Sequence, residues 1–401
     1  MIFKMESTIM KLELYVDYIT DLISSYIKKK DIKPIPSDFD LNFFLEFCKF
    51  HKIENIVYLA LKNTKIPENL KKEFEKLYMH SISIMAKQQY YLEKVEKAFT
   101  SSEIDYFVMK GRELSKLYPS EDIRQSSDFD IYVGNEKAEQ ARNVMVDLGF
   151  EALDYAEDDG HDQYLIDKII LCEIHRVLIQ DDVSWKDECN KIPERVVKCE
   201  NSYHCYKMNI EDFYFFNVAH AAKHIKTAGI GIRIYIDLWL IYEKYKDEFD
   251  YAVLNERLKN ANLTRFEECS RKLFLYWFEG KDTQDATIKA MAKFISLSGW
   301  IGTYEQYHSA KLAEKSTNTD SNTFAKFKSY LRIIFPSYRE LIKRYPKAKK
   351  HKILVPYYYV FRIIKSVFGK DKGAKRVVGE ISAGDLEKGR NLIQFKKDIG
   401  L

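Results

Sequence analysis

Apolar positions repeat at three- and four-residue spacing from Thr8 to about Phe99, in segments such as LNFFLEFCKFHKIENIVYLALKN and NLKKEFEKLYMHSISIMAKQQYYLEKVEKAF. That period predicts amphipathic helices, joined across the proline-bearing stretch DIKPIPSDFD. At Ser101 the rhythm changes. IDYFVMKG (104–111) is a short β-rich run ending at a glycine, RELSKLYPS a brief helix stopped by Pro119, and DFDIYV (128–133) a second strand. A helix capped at Asn135 and closed at Gly149 follows, then three strand candidates, FEALDYA, HDQYLID and IILCEIHRVLI. After Ile210 the helical period returns. The pattern therefore predicts an α+β chain: a helical region over 1–100, a small α/β core with its strands concentrated over 101–182, and a larger helical region over 205–401. The polar segment 313–324 reads as a loop.

The strand pattern gives Asp128-Phe129-Asp130 its meaning. Residues i and i+2 of a strand share a face, so both carboxylates project together while Phe129 turns away. Adjacent carboxylates repel unless something positive stands between them, and hard oxygen ligands favour Mg²⁺ or Mn²⁺. Two solvated acids at a strand end are the plain alternative. Glu173 lies within an apolar strand, where an unpaired charge is costly, and His175 shares its face. A strand pairing of 171–175 beside 128–132 would complete an acidic triad. Lys110-Gly111-Arg112 falls where strand passes into helix, a place suited to phosphate, and Arg124 and Ser127 stand just before Asp128. Neither a P-loop nor a dinucleotide fingerprint is present. His220 and His224 are i, i+4 on a helix and read either as packing histidines or as substrate contacts. Arg233 and Asp237, also i, i+4, read most simply as a helix ion pair.

Composition narrows the field. The 401 residues are 46% hydrophobic and 31% charged, with 8 prolines, which excludes collagen-like and wholly disordered classes. Six cysteines without a CxxC pair read as free thiols in a reducing compartment, not as a zinc site. No apolar run is long enough for a membrane span, and the start lacks a signal-peptide core; a cytoplasmic protein is expected. Net charge is +4, yet residues 341–376 hold 12 Lys and Arg against Asp371 alone, so this stretch is +11 and the remainder −7. Such a run is a solvated helix face or a docking surface for an anionic partner. Within it, PYYYVFRIIKSVFGK fits core packing with a basic outer face better than a membrane-surface helix.

The stretch MKGRELSKLYPSEDIRQSSDFDIYV resembles the uncharacterised nucleotidyltransferase family of bacteria: a strand ending in Lys-Gly, a Tyr-Pro, an Arg, then an Asp-x-Asp strand. CEIHRVL, HAAKH and IRIYIDLWLI are similar to that family's later segments, and FPSYRELIKRYPKAKKHKILVPYYYVFRII to the C-terminal helices of its longer members. The resemblance runs from about Tyr91 onward. It implies a polymerase-β-type nucleotidyltransferase fold, a mixed sheet with helices on one side. Asp128, Asp130 and Glu173 would then be catalytic and bind Mg²⁺ or Mn²⁺. Lys110, Gly111, Arg112, Arg124 and Ser127 would hold the NTP donor, ATP being the first expectation, and His175, His220, His224, Arg233 and Asp237 would face substrate. The acceptor, a small molecule, sugar, protein or RNA, is left open. A non-catalytic nucleotide- or partner-binding protein on the same scaffold is the alternative. Arg112 stands where the wider superfamily carries Ser or Gly.

Overall fold

The long helical period of the first hundred residues folds, in a computed structural model, as α1 (Ile2–Ile27), α2 (Leu41–Phe50), α3 (Glu54–Leu61) and α4 (Glu68–Ser101). The structure describes residues 2–154, 160–200, 202–227, 229–299, 309, 358 and 386–401. The expected loop 313–324 and nearly all of the basic stretch 341–376 lie outside these. Asp40 caps the start of α2, its carboxylate accepting from the Asn42 and Phe43 amides at 2.9 and 3.1 Å.

The alternating stretch that follows gives β1 (Tyr106–Val108), the short α5 (Arg112–Ser115), β2 (Asp128–Tyr132), α6 (Ala138–Asp147), β3 (Glu151–Asp154), β4 (His161–Ile166) and β5 (Ile170–His175). Helix α6 begins three residues after the expected cap, with the Asn135 carbonyl accepting from the Ala138 amide. After α7 (Lys186–Asn190) come two strands that the hydrophobic pattern leaves out, β6 (Val197–Lys198) and β7 (Cys205–Lys207). They are two and three residues long and offer no buried alternating face, so period-2 reading passes over them. The sheet thus reaches beyond the 104–179 stretch into residues expected to open the helical region.

The seven strands run in the order β3-β4-β5-β2-β1-β7-β6. β2 is parallel to β5 and β1 parallel to β7, while the other pairs are antiparallel. One face buries Phe129, Ile131, Cys172 and Ile174 against Leu92, Val95 and Phe99 of α4 and Ala141 and Met145 of α6. The strand residues between them, Asp130, Glu173 and His175, project from the other face. The chain is α+β, with a mixed sheet.

Helices α8 (Ile210–Thr227), α9 (Ile232–Tyr245), α10 (Tyr251–Asn260), α11 (Thr264–Glu279) and α12 (Ala286–Ser298) follow. Residues 1–223, 230–300 and 399–401 form one unit; 224–229 and 301–398 form a second, in which Lys396 of α13 (Leu386–Asp398) donates to the Lys226 carbonyl at 2.6 Å. In the first unit α1 packs along α11, where Ser24 Oγ and Lys28 Nζ both donate to the Phe278 carbonyl and Lys28 pairs with Glu279 at 2.8 Å. Among the described residues no helix is long and apolar enough to cross a membrane.

His51 ties three helices together. Fully buried, it accepts from the Ile232 amide at the start of α9 through Nδ1, 3.3 Å, and donates through Nε2 to the Ser296 carbonyl of α12, 3.1 Å. Only a neutral imidazole has one donor and one acceptor, and burial lowers its pKa from 6.5 to about 3. Between those values the unfolded chain binds a proton that the folded chain refuses. Stability is therefore unaffected above pH 6.5 and falls as pH drops towards 3. His51→Leu is expected to cost about 2 kcal/mol at pH 7.5 by leaving both partners unpaired. Urea titrations of the variant between pH 7 and pH 4 should fall less steeply than those of the parent; equal slopes would contradict this assignment.

Candidate active site

Register assembles the site. β2 and β5 lie side by side and parallel, with Asp130 opposite Glu173 and Tyr132 opposite His175. Strand spacing of about 4.8 Å brings neighbouring side chains of one face into contact. His175 Nε2 stands 3.2 Å from Asp130 Oδ1 and 3.5 Å from Glu173 Oε2, bridging the two carboxylates. Gln163 of β4, opposite Glu173, donates to Glu173 Oε1 at 2.9 Å. His161, also on β4, stacks on His175 with ring centres 5.1 Å apart and reaches within 4.0 Å of Glu173.

β1 supplies the cation. The Met109 amide donates to the Asp130 carbonyl at 3.0 Å, and the chain then leaves the sheet through Lys110 and Gly111. Gly111 has φ +62° and ψ −97°, left-handed backbone that a Cβ would strain. The turn leaves Lys110 Nζ 3.3 Å from Asp130 Oδ2 and 3.2 Å from His220 Nε2 of α8. The contact to Oδ2 is an ion pair without hydrogen-bond geometry, so this buried oxygen has no hydrogen-bond donor.

Charge is finely balanced here. Burial and the Asp130 charge raise the pKa of Asp128. Asp130 feels burial as well, but Lys110 and His175 outweigh it and hold this carboxyl well below the usual range. Glu173 is likewise depressed: burial opposes ionisation and the His175 hydrogen bond overcomes it. Lys110 and His175 are desolvated, yet the carboxylates around them keep both pKa values above ordinary. Three acids thus share Lys110 and His175, with His161 beside Glu173 and Arg233 acting on Asp128 from farther away.

Ligand atoms of Asp130, Glu173 and His175 lie within 4.8 Å of one another. Asp128 precedes them on the same face but is not part of that cluster, and His175 takes the third place. The other expected residues are placed differently. Arg112 pairs with Glu96 of α4 at 2.6 Å. Arg124 is buried, its guanidinium gripping Asp237 of α9 with two hydrogen bonds of 2.8 and 2.9 Å, and Tyr118 donates to the same carboxylate. Asp237, expected to pair with its i−4 neighbour Arg233, thus takes two hydrogen bonds from Arg124 across the fold while its charge also acts on Arg233. Arg233 donates to the Gln125 carbonyl. Ser127 is exposed, while Ser126 Oγ donates to the Asp128 carbonyl at 2.7 Å. His224 stands one turn beyond His220 on α8, its carbonyl accepting from the Gly229 amide.

Sequence reasoning missed Gln163, Gln88 and Asn55. Gln88 of α4 donates to the Ser126 carbonyl, and Asn55 of α3 donates to the Asp122 carbonyl and accepts from Gln125. Polar residues at buried positions of the α3 and α4 apolar pattern were the available signal.

No curated protein and no solved structure matches the chain. A family described as uncharacterised nucleotidyltransferase matches residues 37–279. The match begins well before Tyr91, taking in α2, α3 and α4, and stops at the end of α11, short of the C-terminal segments that resemble longer members. It spans β1, β2 and β5 and therefore every residue of the acidic cluster, so the chain belongs to the uncharacterised nucleotidyltransferase family.

Proposed function

We propose that the protein transfers a nucleoside monophosphate from an NTP, ATP first among them, to an acceptor hydroxyl or phosphate, releasing pyrophosphate. The observation that carries this reading is the parallel register of β2 and β5, which sets Asp130 beside Glu173 on a face shared with Asp128. Asp128, Asp130 and Glu173 would hold Mg²⁺ or Mn²⁺, with His175 adjoining. The fit rests on the clustered carboxylate and imidazole donors and on the buried Asp130 oxygen lacking a hydrogen-bond donor. Bound there, a divalent cation supplies Lewis acidity to phosphate and acceptor oxygens.

The chain's own groups account for the rest. Lys110, charged at neutral pH, is placed to pair with donor phosphate oxygens, and His220 orients its ammonium. Glu173 is ionised at neutral pH and available to accept the proton of the attacking hydroxyl at a carboxylate oxygen. The acceptor oxygen bonds to the α-phosphorus as the bond to the β-phosphate bridge breaks. Gln163 and His161 flank Glu173 on the acceptor side. Arg124, held by Asp237, sets the segment that delivers Asp128.

One observation favours the non-catalytic alternative: Asp130 is already occupied by Lys110 and His175, so ligand must compete with an internal ion pair. The decisive test is transfer from α-³²P-labelled ATP, GTP, CTP and UTP with Mg²⁺ or Mn²⁺, in lysate depleted of the protein. Label moving onto a small molecule, RNA or protein, and lost with Asp128→Ala/Asp130→Ala, is the expected result. Metal-dependent nucleotide binding without transfer would favour the binding protein. Absence of any nucleotide binding would overturn both.

A further inference from the structure

We propose that Cys199 and Cys205 are a reversible oxidation site, closing to a disulfide with hydrogen peroxide as oxidant. The two residues extend the β6–β7 ladder by one step: Lys198 pairs with Tyr206, and the Cys199 amide donates to the Cys205 carbonyl at 2.9 Å. Directly opposed residues of a hydrogen-bonded antiparallel pair have Cα atoms roughly 5.5 Å apart, inside the range that a disulfide spans. The sulfurs already lie 2.9 Å apart. Closure to a bond of about 2.05 Å takes less than about 1 Å of movement.

Accessibility singles the pair out. Both are partly exposed, whereas Cys48, Cys172, Cys189 and Cys269 are buried. Cys199 follows the exposed edge strand β6, while Cys205 lies on β7 between β6 and β1, where burial pushes its thiol up to about 12, so Cys199 is the first nucleophile. Its sulfur attacks the peroxide oxygen, forming a sulfenic acid and releasing water. The Cys205 sulfur then attacks that sulfenic sulfur, displacing its hydroxyl as a second water. Two thiols lose two electrons and two hydrogens, and one peroxide becomes two waters. The loop closed is only a few residues long, which confers little stabilisation, and the bond is correspondingly easy to reduce. β7 lies directly against β1, with Cys205 opposite Tyr106 and the His204 carbonyl accepting from the Tyr106 amide. The oxidised hairpin therefore stiffens the strand that runs into Lys110.

Trypsin cleaves after Lys198 and Lys207, so both cysteines fall in one peptide. Native protein is treated with hydrogen peroxide, unfolded, alkylated with N-ethylmaleimide and digested. The expected peptide is unalkylated and about 2 Da lighter than the reduced form, returning to two maleimides after dithiothreitol. The same reaction in denaturant should run about tenfold slower, because the fold supplies the juxtaposition. A sulfinic or sulfonic acid at Cys199, two maleimides after peroxide, or equal rates folded and unfolded would each overturn the proposal.

Discussion

Asp130→Asn is expected to reduce nucleotidyl transfer by about 10³-fold, since charge stabilisation through a metal is worth several kcal/mol. The substitution keeps the shape of the side chain and removes only its charge. That charge is where the site converges: Lys110 at 3.3 Å, His175 at 3.2 Å, and Glu173 on the adjoining strand. With it gone the ligand set loses an anion, and Lys110 loses the partner that fixes its ammonium. Mn²⁺ affinity, read by electron paramagnetic resonance, should fall alongside transfer. Asp21→Asn on α1, whose ion pair is with the surface residue Lys33, should match the parent in both assays. Retention of more than about a tenth of the parent's rate, against the several kcal/mol expected, would remove Asp130 from the chemistry.

The second large effect is on stability. Asp237→Asn is expected to cost about 4 kcal/mol, the range for breaking a buried ion pair by removing one partner. Side-chain exposure is 4% for Arg124 and 2% for Asp237, so water cannot replace the lost charge. Burial and the nearby Arg124 already depress the Arg233 pKa, and removing Asp237 leaves both guanidiniums without the carboxylate between them. Arg124→Gln should cost less, because Arg233 remains to balance Asp237. Guanidinium-chloride unfolding of the two variants measures that order. Equal losses would mean that Arg233 does not share the carboxylate.

Side-chain alternation made one part of this site legible. DFDIY and ILCEIH each declare which residues share a face, because a strand has period 2. The sequence does not say that the two strands are neighbours. Their pairing joins residues more than forty positions apart, and His175 enters the acidic cluster only through it. Arg124 and Asp237 are 113 residues apart, so the sequence shows only the i, i+4 neighbour Arg233 as a partner, and tertiary packing adds the two hydrogen bonds from Arg124. The strands β6 and β7 escaped because strands of two and three residues without a buried face carry no hydrophobic signature. His51 carried none either: a lone histidine after an apolar run gives no sign of a helix start 181 residues away.

Helix α1 lies outside the family match, yet it grips the very residues at which that match ends. Lys28 places an ammonium on the Phe278 carbonyl and the Glu279 carboxylate, where the partial negative charge of α11 gathers. Ile19, Leu22 and Ile23 are buried on the same helix. Evolutionary boundary and folding boundary therefore do not coincide: a polypeptide trimmed to 37–279 would keep every acid of the cluster while baring an apolar seam and the frayed end of a core helix.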